Sequence, residues 1–198
     1  MTSFQIDQSY LTQTLIDLVK IDSTNPTLNP DGAGETEISA YVADALSAIG
    51  LDVARYELAP RRWNVIGTLK GQSDDPAKNL LLNAHMDTVG VAGMDDPFGA
   101  NIKNGRLYGR GAQDMKASLA AQLAAAKALV DAGVQLQGDL LITAVADEEA
   151  RSIGAAEMAP RVNAAAAIVT EPTDLTLTRA HRGFIWYKVE THGRQAHG

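Results

Sequence analysis

The chain of 198 residues contains no cysteine. That excludes a disulfide framework and a thiolate metal centre, so any metal would have to be held by His, Asp and Glu. Positive charge is scarce as well. The formal net charge is −7 and the pI is near 5.0, which argues against a nucleic-acid or anionic-membrane partner, since both would be repelled over most of the surface. No stretch approaches the ~18 apolar residues that a membrane span needs. The start, Met1 to Gln8, lacks the basic residues and apolar run of a signal peptide, and a cytoplasmic home is the simplest expectation. No internal repeat or low-complexity tract is evident. What remains, 45% hydrophobic and 21% charged residues, suits a globular protein with a real core.

Leu11, Leu15, Leu18 and Val19 stripe a first helix ending near Lys20, and Ile38, Val42 and Ile49 stripe a second, stopped by Gly50. Between them, residues 22–34 are dense in turn formers, with prolines at 26 and 30. Strands are predicted over Trp63 to Lys70 and Lys78 to His85, with 71–76 as the turn between them. Residues 90–111 have no periodicity and read as a functional loop. An alanine-rich helix follows Asp114 and stops at Gly133. Its small residues imply close packing. Asp139 to Ala146 is a near-continuous apolar strand, a short helix lies near Gly154 to Met158, and Ala164 to Thr170 reads as one more buried strand, with helix as a competitor. Strands alternating with helices give βαβ units, hence an α/β sheet with parallel strands and helices on both faces.

In such sheets the ligand site lies at the carboxyl ends of the strands. His85, Glu148, Glu149 and Glu171 each follow a predicted strand. His85 and Asp87 are two apart, so an extended backbone puts both on one side, where the imidazole could bind a metal and the carboxylate orient it. Each also has a plainer reading: His85 as a strand-end residue beside a turn aspartate, Asp114 as a helix N-cap, Glu148 and Glu149 as the acidic first turn of a helix, and Glu171 as a loop carboxylate. Together they would concentrate negative charge on one edge, which a divalent cation would balance. One His with several carboxylates suits zinc, with manganese or cobalt as replacements. There are enough carboxylates for two ions sharing a bridge, and one of the adjacent glutamates could ligate while the other serves as general base.

His85-Met-Asp-Thr-Val, Gly109-Arg-Gly-Ala-Gln-Asp-Met-Lys, Asp147-Glu-Glu and Glu171-Pro-Thr resemble, in order, the successive motifs of the zinc-dependent amidohydrolase and exopeptidase family of acetylornithine deacetylase, succinyl-diaminopimelate desuccinylase, aminoacylase and glutamate carboxypeptidase. The resemblance runs from about residue 10 to the end and covers the family's N-terminal half. It implies a mixed, largely parallel twisted sheet with helices on both faces over residues 1–178. At 179–198 it implies the first strand, Phe184 to Thr191, of an inserted α+β lid and dimerisation domain.

The resemblance further implies that His85, Asp114 and Glu171 hold one zinc, that Asp114 bridges to a second held by Glu149, and that the Asp114–Met115 peptide is cis. Asp87 would hold the His85 ring, and Glu148 would be the general base. His197, in Gly193-Arg-Gln-Ala-His-Gly, would match the lid histidine that stabilises a developing oxyanion, commonly in the neighbouring subunit. The implied reaction is amide hydrolysis in an N-acyl amino acid through water activated between two zinc ions. A metallo-carboxypeptidase or dipeptidase is the alternative substrate reading, and a homodimer the implied assembly. Family members continue past this point and bring one more metal-binding histidine. A chain without that half would be expected to be inactive, a non-catalytic metal-binding module.

Overall fold

In a computed structural model of the protein, residues 4–180, 183, 185 and 187–194 are described. Two helices open the fold, α1 (Gln8–Lys20) and α2 (Thr36–Ile49). Asp7 caps α1 by accepting the Tyr10 N–H at 2.9 Å. Gly50 ends α2 in the left-handed region at φ 103°, where its N–H reaches the last carbonyls, a conformation glycine adopts without penalty.

The main sheet has five strands: β1 (Asp52–Ala59), β2 (Arg62–Leu69), β3 (Leu80–His85), β6 (Leu140–Val145) and β7 (Ala166–Val169). A separate hairpin, β4 (Asn101–Lys103) with β5 (Arg106–Tyr108), sits in the 90–111 loop. Strand order is β1-β2-β6-β3-β7. The pairs β1–β2 and β2–β6 are antiparallel, while β3 pairs parallel with both β6 and β7.

Residues 71–76 therefore do not join hydrogen-bonded neighbours, because β6 inserts between β2 and β3. Strand β1 carries no apolar run and escapes the sequence pattern. It is an outer strand with no fully buried residue. Strand β7 forms where expected but is not buried: Ile168 and Val169 are 48% and 55% exposed, because β7 is the edge strand and pairs on one side only.

Helices cover both faces. On β2, Val65 points into the core cluster with Leu46 and Val42 of α2, while the neighbouring Asn64 donates to the Gly154 carbonyl of α4 (Ile153–Met158) at 2.9 Å. The period-2 alternation of a strand puts those two partners on opposite sides. Helix α3 (Lys116–Asp131) packs Leu119, Ala120 and Leu123 fully buried among Leu18, Ala84 and Met86; its alanines permit that close approach. Burial of each large aliphatic side chain here contributes about 1.5–3 kcal/mol.

The crossover from β3 through α3 to β6 goes to one side of β3, and the next crossover, through α4, ends in β7 on the other. The direction of winding changes at β3. A crevice opens at the carboxyl ends of the strands at such a switch point, and β3 ends on His85.

Of the strand expected over Phe184 to Thr191, Phe184 and Trp186 lie outside the described residues. The rest has no regular pairing, and Ile185, Tyr187 and Val189 are exposed. His197 also lies outside the described residues.

Candidate metal centre

The imidazole of His85 is 1% exposed and sits where β3 ends. Its Nδ1 lies 2.8 Å from the main-chain carbonyl of Asp87. A carbonyl can only accept, so Nδ1 carries the hydrogen and Nε2 faces the other way. There it meets Asp114 Oδ1 at 3.1 Å, Glu148 Oε2 at 3.8 Å and Glu171 Oε1 at 3.8 Å. In the neutral ring the lone pair of Nε2 points at three carboxylates. Only a proton or a cation resolves that contact.

Two sets of donors draw together: His85, Asp114 and Glu149, and His85, Glu148 and Glu171, each with its ligating atoms within 4.8 Å of one another. Ligands bound at ~2.0–2.1 Å around a tetrahedral ion stand ~3.3–3.5 Å apart, so the separations at Nε2 are those a small cation would close with slight movement. The residues present fit a divalent cation.

The electrostatics agree. Burial pulls the His85 ring down, but the hydrogen bond to Asp114 and the charges of Asp87, Glu171 and Glu148 outweigh it, and its pKa is pushed up to about 9. Burial pushes Glu171 up to about 7, against the pull of His85 and with the repulsion of Glu148, Asp114 and Glu149. Glu149 is raised for the same reason, burial first. Asp114 is lowered, chiefly by its bond to His85. A positive charge placed among these groups would relieve the repulsion behind the raised carboxyls.

The plainer readings of Asp114 as a helix cap and of Glu148 and Glu149 as a first helical turn do not hold. Helix α3 is capped by Met115 and not by Asp114. The peptide Asp114–Met115 is cis. Helix α4 starts at Ile153, four residues past the Asp-Glu-Glu stretch, so Glu148 and Glu149 are not its first turn. Asp147 instead takes a left-handed φ of 63°, and the turn it makes accepts the N–H groups of Arg151 and Ser152 on the Asp147 carbonyl.

Asp87 holds the ring through its main-chain carbonyl, with its carboxylate Oδ1 3.6 Å from Nδ1. The carboxylate itself, fully buried, accepts the N–H of Glu148 at 3.0 Å and of Glu149 at 3.1 Å. It also accepts from Asn25 Nδ2 at 2.6 Å. Glu171 is placed from the α3 side, where Gln122 donates to Thr170 Oγ1 at 2.9 Å and Ser118 donates to the Thr170 carbonyl.

Sequence patterns missed a second layer: Asn25, Glu35, Arg62, Asn64 and Lys116. Lys116 is wholly buried and donates from Nζ to the Ile21 carbonyl at 2.8 Å; burial pushes its pKa down to about 7. Asn25, Glu35, Arg62 and Asn64 fall in no local metal-ligand spacing, and Lys116 closes the Gly109 motif without being a ligand type.

The fold is shared with solved structures of a metallo-carboxypeptidase and an aminopeptidase. An M20 family metallo-carboxypeptidase from Sulfolobus solfataricus superposes with a TM-score of 0.67 at 26% identity, over 80% of this chain and 36% of that one. Aminopeptidase PepT from Bacillus cereus gives a TM-score of 0.68 at 24% identity, over 84% and 44%. Residues 81–195 match Peptidase family M20/M25/M40, and the chain belongs to that family.

Among curated relatives, an N-formyl-4-amino-5-aminomethyl-2-methylpyrimidine deformylase of Bacillus subtilis is 33% identical over 82% of this chain and 39% of its own length. An acetylornithine deacetylase of Myxococcus xanthus is 32% identical over 94% and 48%. The chain thus spans less than half the length of these relatives. No helix among the described residues is long and apolar enough to cross a membrane.

Proposed function

We propose that the protein is the metal-binding part of a zinc-dependent hydrolase that cleaves the amide bond of an N-acyl amino acid. The observation that carries the reading is the convergence of Nε2 of His85 on Asp114, Glu148 and Glu171 at the strand ends. In this reading His85, Asp114 and Glu171 hold one zinc, Asp114 and Glu149 a second, and cobalt or manganese can replace it. Bound zinc supplies Lewis acidity toward the scissile carbonyl and toward water.

Glu148, 43% exposed beside Nε2 of His85, faces the cleft and serves as general base. It takes a proton as the water oxygen joins the carbonyl carbon, then delivers that proton to the nitrogen as the C–N bond breaks. Asp87 keeps both glutamates in place through their N–H groups. His197 stabilises the developing negative charge from a lid that starts near residue 179, in a homodimer. The deformylase, deacetylase and desuccinylase names of the relatives have in common the release of an acyl group from nitrogen. A peptide substrate is the second reading, favoured by the 26% identity to a metallo-carboxypeptidase.

The test is zinc content by mass spectrometry together with hydrolysis of a panel of N-acetyl, N-succinyl and N-formyl amino acids and dipeptides. In the complete enzyme, Glu148→Gln should retain zinc and lose turnover by ~10²–10⁴. Undiminished turnover in that variant would overturn the assignment.

A further inference from the structure

Beneath the centre lies a buried charged cluster that touches no ligand atom. Arg62, at the start of β2 and 4% exposed, donates from Nη1 to Glu35 Oε1 at 2.6 Å and from Nη2 to Asn25 Oδ1 at 2.7 Å. The same Nη2 donates to Asp147 Oδ1. Asn25, its Oδ1 taken by Arg62, donates from Nδ2 to Asp87 Oδ2 at 2.6 Å and to Asp147 Oδ1 at 3.0 Å. Asp87 in turn takes the N–H groups of Glu148 and Glu149. Two residues along the same face of β2, Asn64 accepts the Ala146 N–H at 3.0 Å. Strand β2 therefore grips the chain just before the two glutamates at two points.

A buried guanidinium is expensive to desolvate. A core that needed only stability could fill this space with apolar side chains at no loss. What the arginine does that an apolar residue cannot is set the amide of Asn25 and the carboxylate of Asp147 at once, because its fork presents donors in a fixed plane.

We propose that Arg62 is a positioning residue for the Glu148–Glu149 turn, acting through Asp147, Asn25 and Asp87. The inference rests on the roles given above to Glu148 and Glu149, and places their aim on a residue of a different strand. Arg62→Met should then bind zinc ~10–100-fold more weakly, the loss typical of an outer-shell partner. The same variant should lower kcat with KM within about twofold. Arg62→Lys, with a single point charge in place of the fork, should recover only part of the loss.

The experiment is zinc competition against a chromophoric chelator on the full chain, with the visible spectrum of the cobalt form. It is paired with amide hydrogen exchange at residues 147–149, which needs no metal. The expected result is weaker zinc binding, an altered cobalt spectrum, and faster exchange confined to 147–149 while β3 and β6 keep their protection. Wild-type zinc affinity and unchanged exchange at 147–149, whatever the melting temperature, would overturn the inference. Exchange rising uniformly across the sheet would do so too, since it would make Arg62 a general support.

If Arg62→Met fails to fold, Asn25→Ala keeps the arginine with both carboxylates and removes the amide that joins Arg62 and Asp147 to Asp87. It should give the same local signature, and its absence counts against the inference equally. If the wild-type chain binds no zinc, the metal reading fails on its own, and the exchange result still decides the role of Arg62.

Discussion

The carboxylate of Asp87 accepts the main-chain N–H of Glu148 at 3.0 Å. That bond joins the end of β3 to the turn after β6, so the histidine of one strand and the glutamates of the other share one fixed support. Removing the carboxylate takes the acceptor from two part-buried main-chain N–H groups and leaves the buried Asn25 amide with Asp147 alone. At ~1–3 kcal/mol for each unsatisfied group, Asp87→Ala should destabilise by about 3 kcal/mol or more, measured by urea unfolding of the metal-free chain. Zinc affinity should fall with it, and a variant with unchanged affinity would show that Asp87 does not align the site.

Zinc binding should be steeply pH-dependent. The His85 ring is pushed up to about 9 and Glu171 up to about 7, and both must lose a proton to ligate. Below pH 7 binding displaces about two protons, and between pH 7 and 9 about one. The logarithm of the association constant should therefore rise with a slope near 2 up to about pH 7 and near 1 from there to about pH 9. A titration in two buffers of different ionisation enthalpy reads the proton count directly. A flat profile would contradict the picture of protons standing in for the cation.

Glu35 gives a stability prediction of defined sign. It is fully buried, and burial pushes its pKa up to about 8 despite Arg62, because one guanidinium is shared between Glu35 and Asp147. A carboxyl with a raised folded pKa contributes stability that is present in full below its unfolded pKa of ~4.3 and lost as pH rises through about 8. Glu35→Gln mimics the protonated form, and its amide nitrogen can take the place of Oε2, which has no partner among the described residues. The variant should melt above the wild type at pH 8 and by less, or not at all, at pH 5, in a chelator that removes the metal. The reverse order would mean that Glu35 is ionised in the folded protein.

Gly154 tests the grip of β2 on the turn. A Cβ there would stand 2.4 Å from both Ala146 N and Ala146 O, and 2.7 Å from Asn64 Oδ1. Two of these are main-chain atoms and cannot swing aside. Gly154→Ala should cost about 1–3 kcal/mol in urea unfolding and loosen zinc binding by displacing Ala146. A neutral outcome would mean that α4 can shift without moving the site.

Much of the candidate site was legible without the fold because most of its candidate residues stand just past strand ends. A strand end is marked locally, by an apolar run that stops on a polar residue, as at His85, Asp147 and Glu171. The cis peptide at Asp114–Met115 followed from the motif resemblance and is present. The α/β class followed from the alternation of periods 2 and 3.6. Strand β1 did not, since an outer strand buries too little to need an apolar run, and the exposure of β7 did not, since composition says nothing about what covers a strand.

Only the tertiary structure decided what stands under the metal centre. Asn25 and Asp147 are 122 residues apart, and Arg62 reaches Asp147 across 85; no periodicity spans such distances. Local sequence determined which groups could bind a cation, because ligand chemistry belongs to the side chain itself. Which groups aim them depended on how β2, β3 and β6 lie beside one another. Hydrogen bonds between distant buried residues exist only once the sheet has brought their donors and acceptors within about 3 Å.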